Sequence, residues 1–321
     1  MLSSKNIYNV IGVMSGTSLD GIDLCYSEFT LKESHWNFSI KTCETILYNE
    51  YWAEKLSQAN NFHDTILFDL DKEYTSYLAT VINDFIKKYQ ITNIDFISSH
   101  GHTVYHQPEE NYTFQLGNRI ELRELIKKPI VCDFRVQDVA LGGQGAPLVP
   151  IGDLLLFKDF SYCINLGGFC NISIKNDSQI IAYDICPVNV VLNYLSKKIG
   201  FSFDKDGNHA KSGSVNKQLL KDLNQIEYYV EEPPKSLGIE WVKENIFKII
   251  DNYNITNEDK LRTYIEHICA QIAMNIDGDC HQILFTGGGV KNKFLMARLS
   301  KKMKLKFQLP CVSIQKYWIL I

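Results

Sequence analysis

Three glycine-bearing turns and a carboxylate carry the residue types that could do chemistry in this 321-residue chain. The first turn comes after the apolar run Tyr8 to Met14: Gly12 lies within the run, and Ser15-Gly16-Thr17-Ser18-Leu19-Asp20 ends it. Glycine lets backbone N–H groups approach a ligand closely, and the hydroxyls of Ser15, Thr17 and Ser18 add polar groups; such a nest suits phosphate. Asp20 offers an oxygen ligand to Mg²⁺ through water, because Mg²⁺ prefers oxygen and keeps several waters. A Walker P-loop is excluded, since no Gly-Lys-Ser/Thr opens a helix here and a second strand, with Ile22, Leu24 and Tyr26 alternating, comes next. An ordinary hairpin turn is the plainer reading. The second turn, Gly167-Gly168, lies between the apolar runs Tyr162–Leu166 and Ile172–Ile174. The third, Gly287-Gly288-Gly289, ends a strand-like run and leads past Asn292 into a helix-like segment, a layout in which backbone can lie against an adenosine or its α-phosphate. It is not a Gly-x-Gly-x-x-Gly fingerprint. Asp184 closes another strand-like run just ahead of a helix, where it could face a ligand or merely cap the helix.

These groups need elements to hold them. Residues 64–89 read as an amphipathic helix, with Ile66, Leu67, Leu70, Tyr74, Leu78, Val81, Ile82, Phe85 and Ile86 repeating at three and four and Asp64 as its N-cap. A second such stripe runs from Leu261 to Ile276. Ile94–Ser99 reads as a buried strand that ends at His100-Gly101-His102-Thr103. His100, His102 and His106 could suggest a metal, yet no acidic or Cys partner stands beside them, so a polar loop at a strand end fits better. Gly142 to Pro147 is too glycine-rich for the interior of an element. Arg135, just ahead of it, has forked donors that suit a carboxylate, or a surface ion pair.

The totals allow two domains. A net charge of −4 argues against a nucleic-acid surface. Nine cysteines stand singly, with no Cys-x-x-Cys, which reads as a reducing cytoplasm. No apolar run reaches membrane-spanning length.

The ordered string Met14-Ser15-Gly16-Thr17-Ser18-Leu19-Asp20-Gly21-Ile22-Asp23 resembles the opening signature of the anhydro-N-acetylmuramic acid kinases. Ser99-His100-Gly101-His102-Thr103 is similar to that family's Ser-His-Gly-Gln-Thr, with His102 in place of Gln. Gly142–Pro147 is similar to its inter-domain segment beside the sugar, and Asp206-Gly207 and Pro233–Glu240 are similar to two of its loops. The resemblance covers residues 8 to 307 or so. It implies an α/β, two-domain actin/hexokinase-like (ribonuclease H-like) fold with an inter-domain ATP cleft, divided here into residues 1–134 and 135–310. It also implies ATP and Mg²⁺, with Gly12, Ser15, Gly16, Thr17, Ser18, Asp20, Gly167, Gly168, Gly287, Gly288, Gly289 and Asn292 at the nucleotide and Asp20 toward the metal. His100, Arg135, Gln144 and Asn189 would face a small amino-sugar. Asp184 would be the general base that activates the water opening the 1,6-anhydro bond at C1 while O6 takes the γ-phosphate. No nucleic acid or membrane partner is expected, and a homodimer is left open.

Two departures stand out. The family's Asp-Thr-Gly-Pro-Gly-Asn is here Asp184-Ile185-Cys186-Pro187-Val188-Asn189, so side chains would stand where bare backbone could approach phosphate or sugar. The ending, residues 311–321, is apolar and lacks the carboxylate-bearing helix that family members carry, which reads as a premature stop or a frame change, with a natural alternative ending as the other reading. The leading expectation is a kinase that makes N-acetylmuramic acid 6-phosphate from a product of cell-wall turnover. The alternatives are a catalytically impaired sugar- or nucleotide-binding homologue and another actin-like ATPase.

Overall fold

The computed structural model describes residues 5–16, 19, 21–175, 180–276 and 283–303. Thr17, Ser18, Asp20 and the ending after residue 303 lie outside the described residues. The chain divides into two compact units, with the boundary between Leu156 and Phe157.

In the first unit β1 (Ile7–Ser15), β2 (Gly21–Lys32) and β3 (His35–Leu47) form an antiparallel meander. Helices α1 (Glu50–Gln58) and α2 (Asp64–Lys88) come next, then β4 (Phe96–Ser99) and a hairpin of β5 (His102–Gln107) and β6 (Tyr112–Leu116). The unit ends with α3 (Glu121–Ile126), β7 (Ile130–Val131), α4 (Phe134–Ala140) and α5 (Val149–Leu156). The sheet order is β3-β2-β1-β4-β7, with β4 parallel to β1 and β7 parallel to β4. This order, with only β2 reversed, is the ribonuclease H-like arrangement. The glycine-rich stretch 142–147 does not mark the boundary, because α4 packs on β6 and α5 on β3.

The stripe on α2 explains why that helix forms. Leu67, Leu70, Tyr74, Leu78, Val81, Ile82 and Phe85 are buried against Ile11, Ile22, Leu24 and Ile97 of the sheet. Each large side chain so buried contributes about 1.5–3 kcal/mol relative to exposure. Ile66, which the periodicity places in the stripe, is 54% exposed. His63, not Asp64, is the N-cap, and Asp64 is the first helical residue, where its charge favours the helix dipole.

The second unit repeats the plan. β8 (Tyr162–Leu166), β9 (Phe169–Lys175) and β10 (Ile180–Pro187) form a meander, and α6 (Asn189–Lys197) begins at once after it. A helical region comes next: α7 (Asn208–Ser212), α8 (Lys217–Asn224), α9 (Ile239–Val242) and α10 (Lys248–Asp251), the last two joined by a π-helical turn over Lys243–Phe247. It ends in α11 (Asn257–Met274), then β11 (Ile283–Thr286) and α12 (Lys293–Met303). The described strands run β10-β9-β8-β11, with β11 parallel to β8. The core of this unit gathers around α11, whose Leu261, Tyr264, Ile265, Ile268 and Ile272 are fully buried. Among the described residues no helix is long and apolar enough to cross a membrane.

Candidate active site

In the second unit the meander sets three polar residues side by side. Asn165 of β8 pairs in register with Asn171 of β9, and Asn171 pairs with Asp184 of β10. Directly opposed residues of an antiparallel pair share a face, so the three form one row across the sheet. Asn165 Nδ2 donates to Asn171 Oδ1 at 2.8 Å, and Asn171 Nδ2 donates to Asp184 Oδ1 at 2.5 Å. The direction of this chain is forced. An ionised carboxylate only accepts, so Asn171 must turn its amide nitrogen to Asp184 and its oxygen to Asn165. Asn165 Oδ1 is then left buried and unpartnered at the Gly167 and Gly287 turns.

The other oxygen, Asp184 Oδ2, accepts the Leu237 N–H at 2.8 Å. Burial raises the Asp184 pKa above the ordinary carboxylate value, and the donors Asn171 and Leu237 oppose the rise. The side chain makes no bond to the start of α6, which has no side-chain cap. Asp184 is therefore not a helix cap. It is a half-buried, doubly supported carboxylate with a lone pair left on each oxygen.

A bulge in β10 between Asp184 and Cys186 redirects the next side chains. Bulges bend a strand and break its alternation. Ile185, Cys186 and Val188 consequently all lie in the core of this unit, each no more than 1% exposed. The expectation that these substituted side chains crowd the ligand is corrected: they face the interior.

The Gly167–Gly168 turn is locked onto α6. Gly168 O accepts the N–H groups of Val188 at 2.8 Å and Val190 at 3.2 Å. Asn189 Nδ2 donates to Leu166 O at 3.1 Å and Gly167 O at 2.6 Å, so its amide nitrogen holds the turn in shape. Gly287 has φ +84°, and a Cβ there would stand 2.2 Å from Asn165 Oδ1 and 2.8 Å from the Leu166 carbonyl. Only glycine fits. A Cβ on Gly288, by contrast, would meet nothing within 4 Å, so that backbone borders open space. Asn292 Oδ1 accepts the Leu295 N–H at 3.0 Å and so caps the first turn of α12.

The first unit holds the other expected residues. Gly12 is buried inside β1, between its partners Cys25 and Ser98. Ser15 is buried at the end of β1, and Gly16 O accepts the Leu19 N–H at 3.3 Å. His100 and Arg135 meet: Arg135 Nε donates to His100 Nε2 at 3.0 Å, which places the ring proton on Nδ1, where it donates to Gly101 O at 2.7 Å. Burial, then the Arg135 charge, pushes the His100 pKa down to about 4, so the ring is neutral at pH 7. Arg135 Nη1 also donates to Gly145 O at 2.7 Å. Two of its five N–H groups are thereby committed, and the guanidinium is fixed with three to spare among the described residues. Gly145 N donates to Asp138 at 2.6 Å, and its φ of +65° and contact with Val139 require glycine. Gln144 is exposed on this loop.

The three histidines do not converge. His102 is buried with Nδ1 unpartnered, and His106 meets Thr113 at 3.3 Å. Among the described residues no group of three His, Cys, Asp or Glu could hold a metal. Sequence reading missed Asn165, Asn171, Tyr228 and Leu237. The two asparagines left a trace, since they stand symmetrically about Gly168 in what reads as a hairpin.

Within the Gly287–Gly289 turn, Gly288 presents bare backbone to open space, while Gly287 packs against the orphaned acceptor Asn165 Oδ1. The family model described as anhydro-N-acetylmuramic acid kinase matches residues 8–312. An anhydro-N-acetylmuramic acid kinase from Pseudomonas syringae pv. tomato is 34% identical over 310 residues, covering 91% of this chain and 83% of the relative. One from Sulfurimonas denitrificans is 33% identical over 313 residues, covering 91% and 84%. One from Vibrio vulnificus is 31% identical over 324 residues, covering 94% and 85%.

Proposed function

Because this chain belongs to the anhydro-N-acetylmuramic acid kinase family, we propose that it uses ATP to convert 1,6-anhydro-N-acetylmuramic acid to N-acetylmuramic acid 6-phosphate. The observation that carries this reading is the carboxylate of Asp184, supported on both oxygens yet still only half-buried. Asp184 takes a proton from a water as that water's oxygen bonds to C1 of the sugar. The C1–O6 bond breaks, and O6 receives the γ-phosphoryl group. A general base must be ionised and within hydrogen-bond reach of its proton, and the Asn171 and Leu237 donors favour the ionised form.

The remaining residues bind and orient. Phosphoryl transfer is mostly positioning and charge neutralisation. Gly287 to Gly289 offer backbone to the nucleotide, with Gly167 and Gly168 behind them, and Gly16, Thr17 and Ser18 offer donors to phosphate. Asp20 would hold Mg²⁺ through water, and the ion would neutralise phosphate charge. Arg135, held by His100 and Gly145, offers its free donors to the sugar's carboxylate, and Gln144 lies on the same loop.

ADP release tests the reading. We expect release from Mg-ATP only when the anhydro-sugar is present. Equal release without sugar would instead indicate an actin-like ATPase, and no release with sugar a binding protein that has lost turnover.

A further inference from the structure

The segment Pro233-Pro234-Lys235-Ser236-Leu237 and the short helical turn before it, Glu227–Val230, grip Asp184 at three points. Tyr228 hydroxyl donates to Asp184 O at 2.6 Å, Asp184 N donates to Lys235 O at 3.2 Å, and Leu237 N donates to the carboxylate. What holds this segment in shape is the Lys235 side chain, which turns back on its own loop. Its ammonium donates to Tyr228 O at 3.0 Å and Glu231 O at 2.8 Å, and lies 4.8 Å from the centre of the Tyr228 ring. The loop from 228 to 235 is thus closed by its last residue, two positions before the N–H that reaches Asp184 Oδ2.

We propose that Lys235 is a positioning residue for Asp184, a latch that aims the Leu237 N–H at the carboxylate and so keeps it ionised and correctly turned. The ammonium does not touch the carboxylate. It acts through the backbone, by fixing where one donor sits. Among the described residues, the titratable groups facing Asp184 are the Tyr228 hydroxyl and the Cys170 thiol, both held protonated by burial, while Glu231 and Glu232 lie on the Lys235 side. None of them replaces the Leu237 donor if the loop relaxes. A carboxylate that loses such a donor in a buried setting is driven toward its protonated form.

This inference rests on Asp184 as the base, and the test separates the two. In the full-length protein, Lys235→Met keeps the stem and removes the donors. Its kcat should fall about tenfold to a hundredfold, the scale of a small misplacement, with KM for ATP unchanged. The acidic limb of its kcat/KM profile should move up by about half a pH unit to one unit, as the lost donor requires. Lys235→Arg, which can span to both carbonyls, should restore much of the rate and return the limb. Lys235→Gln, which keeps two donors without the charge, serves if the Met variant does not fold, and is expected to fall between. A lowered melting temperature with the acidic limb in place would overturn the latch and leave Asp184 as the base. Asp184→Asn with full turnover would overturn the base itself.

Discussion

Asp184→Asn is expected to lower turnover by about 10²–10⁴-fold, the usual worth of a general base, while affinity for Mg-ADP stays within about twofold. The substitution is nearly isosteric. With its oxygen turned toward Asn171, the amide still accepts from that residue and the row Asn165–Asn171–184 keeps its shape, while the Leu237 N–H loses its acceptor. What is lost is the capacity to take a proton. The pH dependence has a definite sign. Burial raises the Asp184 pKa, so activity should be complete above that raised value and fall as pH drops through it, at a pH above the range of an exposed aspartate. Single-turnover kinetics from pH 4 to 8 measures both. A variant that loses nucleotide binding and unfolds would mean that the residue is structural. The carboxylate neither caps α6 nor pairs with a cation, so a structural role would rest on its bonds from Asn171 and Leu237 alone.

Gly287→Ala should abolish most nucleotide affinity. The added methyl would lie 2.2 Å from Asn165 Oδ1 and 2.8 Å from the carbonyl carbon and oxygen of Leu166. Two of these atoms are backbone of β8, so the turn and not the strand must move. Positive φ at a non-glycine adds strain of about 1–3 kcal/mol, and a shift of an ångström in a binding turn can cost about 10²-fold. We therefore expect Mg-ADP affinity to fall by about two orders of magnitude, measured by titration calorimetry, together with a lower melting temperature. Gly288→Ala is the matched control. Its methyl meets no protein atom within 4 Å, so stability should hold while nucleotide affinity drops, as the proposed placement of the nucleotide requires. Unchanged affinity in both variants would remove the nucleotide from this turn.

These two neighbouring glycines, alike in sequence and unlike in surroundings, mark the limit of what a sequence conveys. Periodicity made α2 legible, since a stripe repeating at three and four needs only local geometry, and it misplaced only Ile66 and the cap at the N-terminal end. The glycine turns and Asp184 were legible as types at strand ends. Their partners were not. Asn171 reaches Asp184 through strand register, and Leu237 reaches it from 53 residues away. Such contacts leave no local pattern. The bulge after Asp184 is the clearest case: one extra residue sent Ile185, Cys186 and Val188 inward, and the sequence alone placed them against the ligand. Asn189 and Asn292 entered only through the family resemblance, as contacts to the sugar and the nucleotide, whereas the structure shows Asn189 Nδ2 bracing a turn and Asn292 Oδ1 capping a helix.

The role of a water-activating carboxylate is tested most directly by weighing the product. The full-length protein is incubated with Mg-ATP and 1,6-anhydro-N-acetylmuramic acid, and the sugar is followed by mass spectrometry. We expect a single product that has gained one phosphoryl group and one water, in step with ADP. A product that gained the phosphoryl group without water, or ADP accumulating beside unchanged sugar, would show that Asp184 does not prime a water for attack at C1.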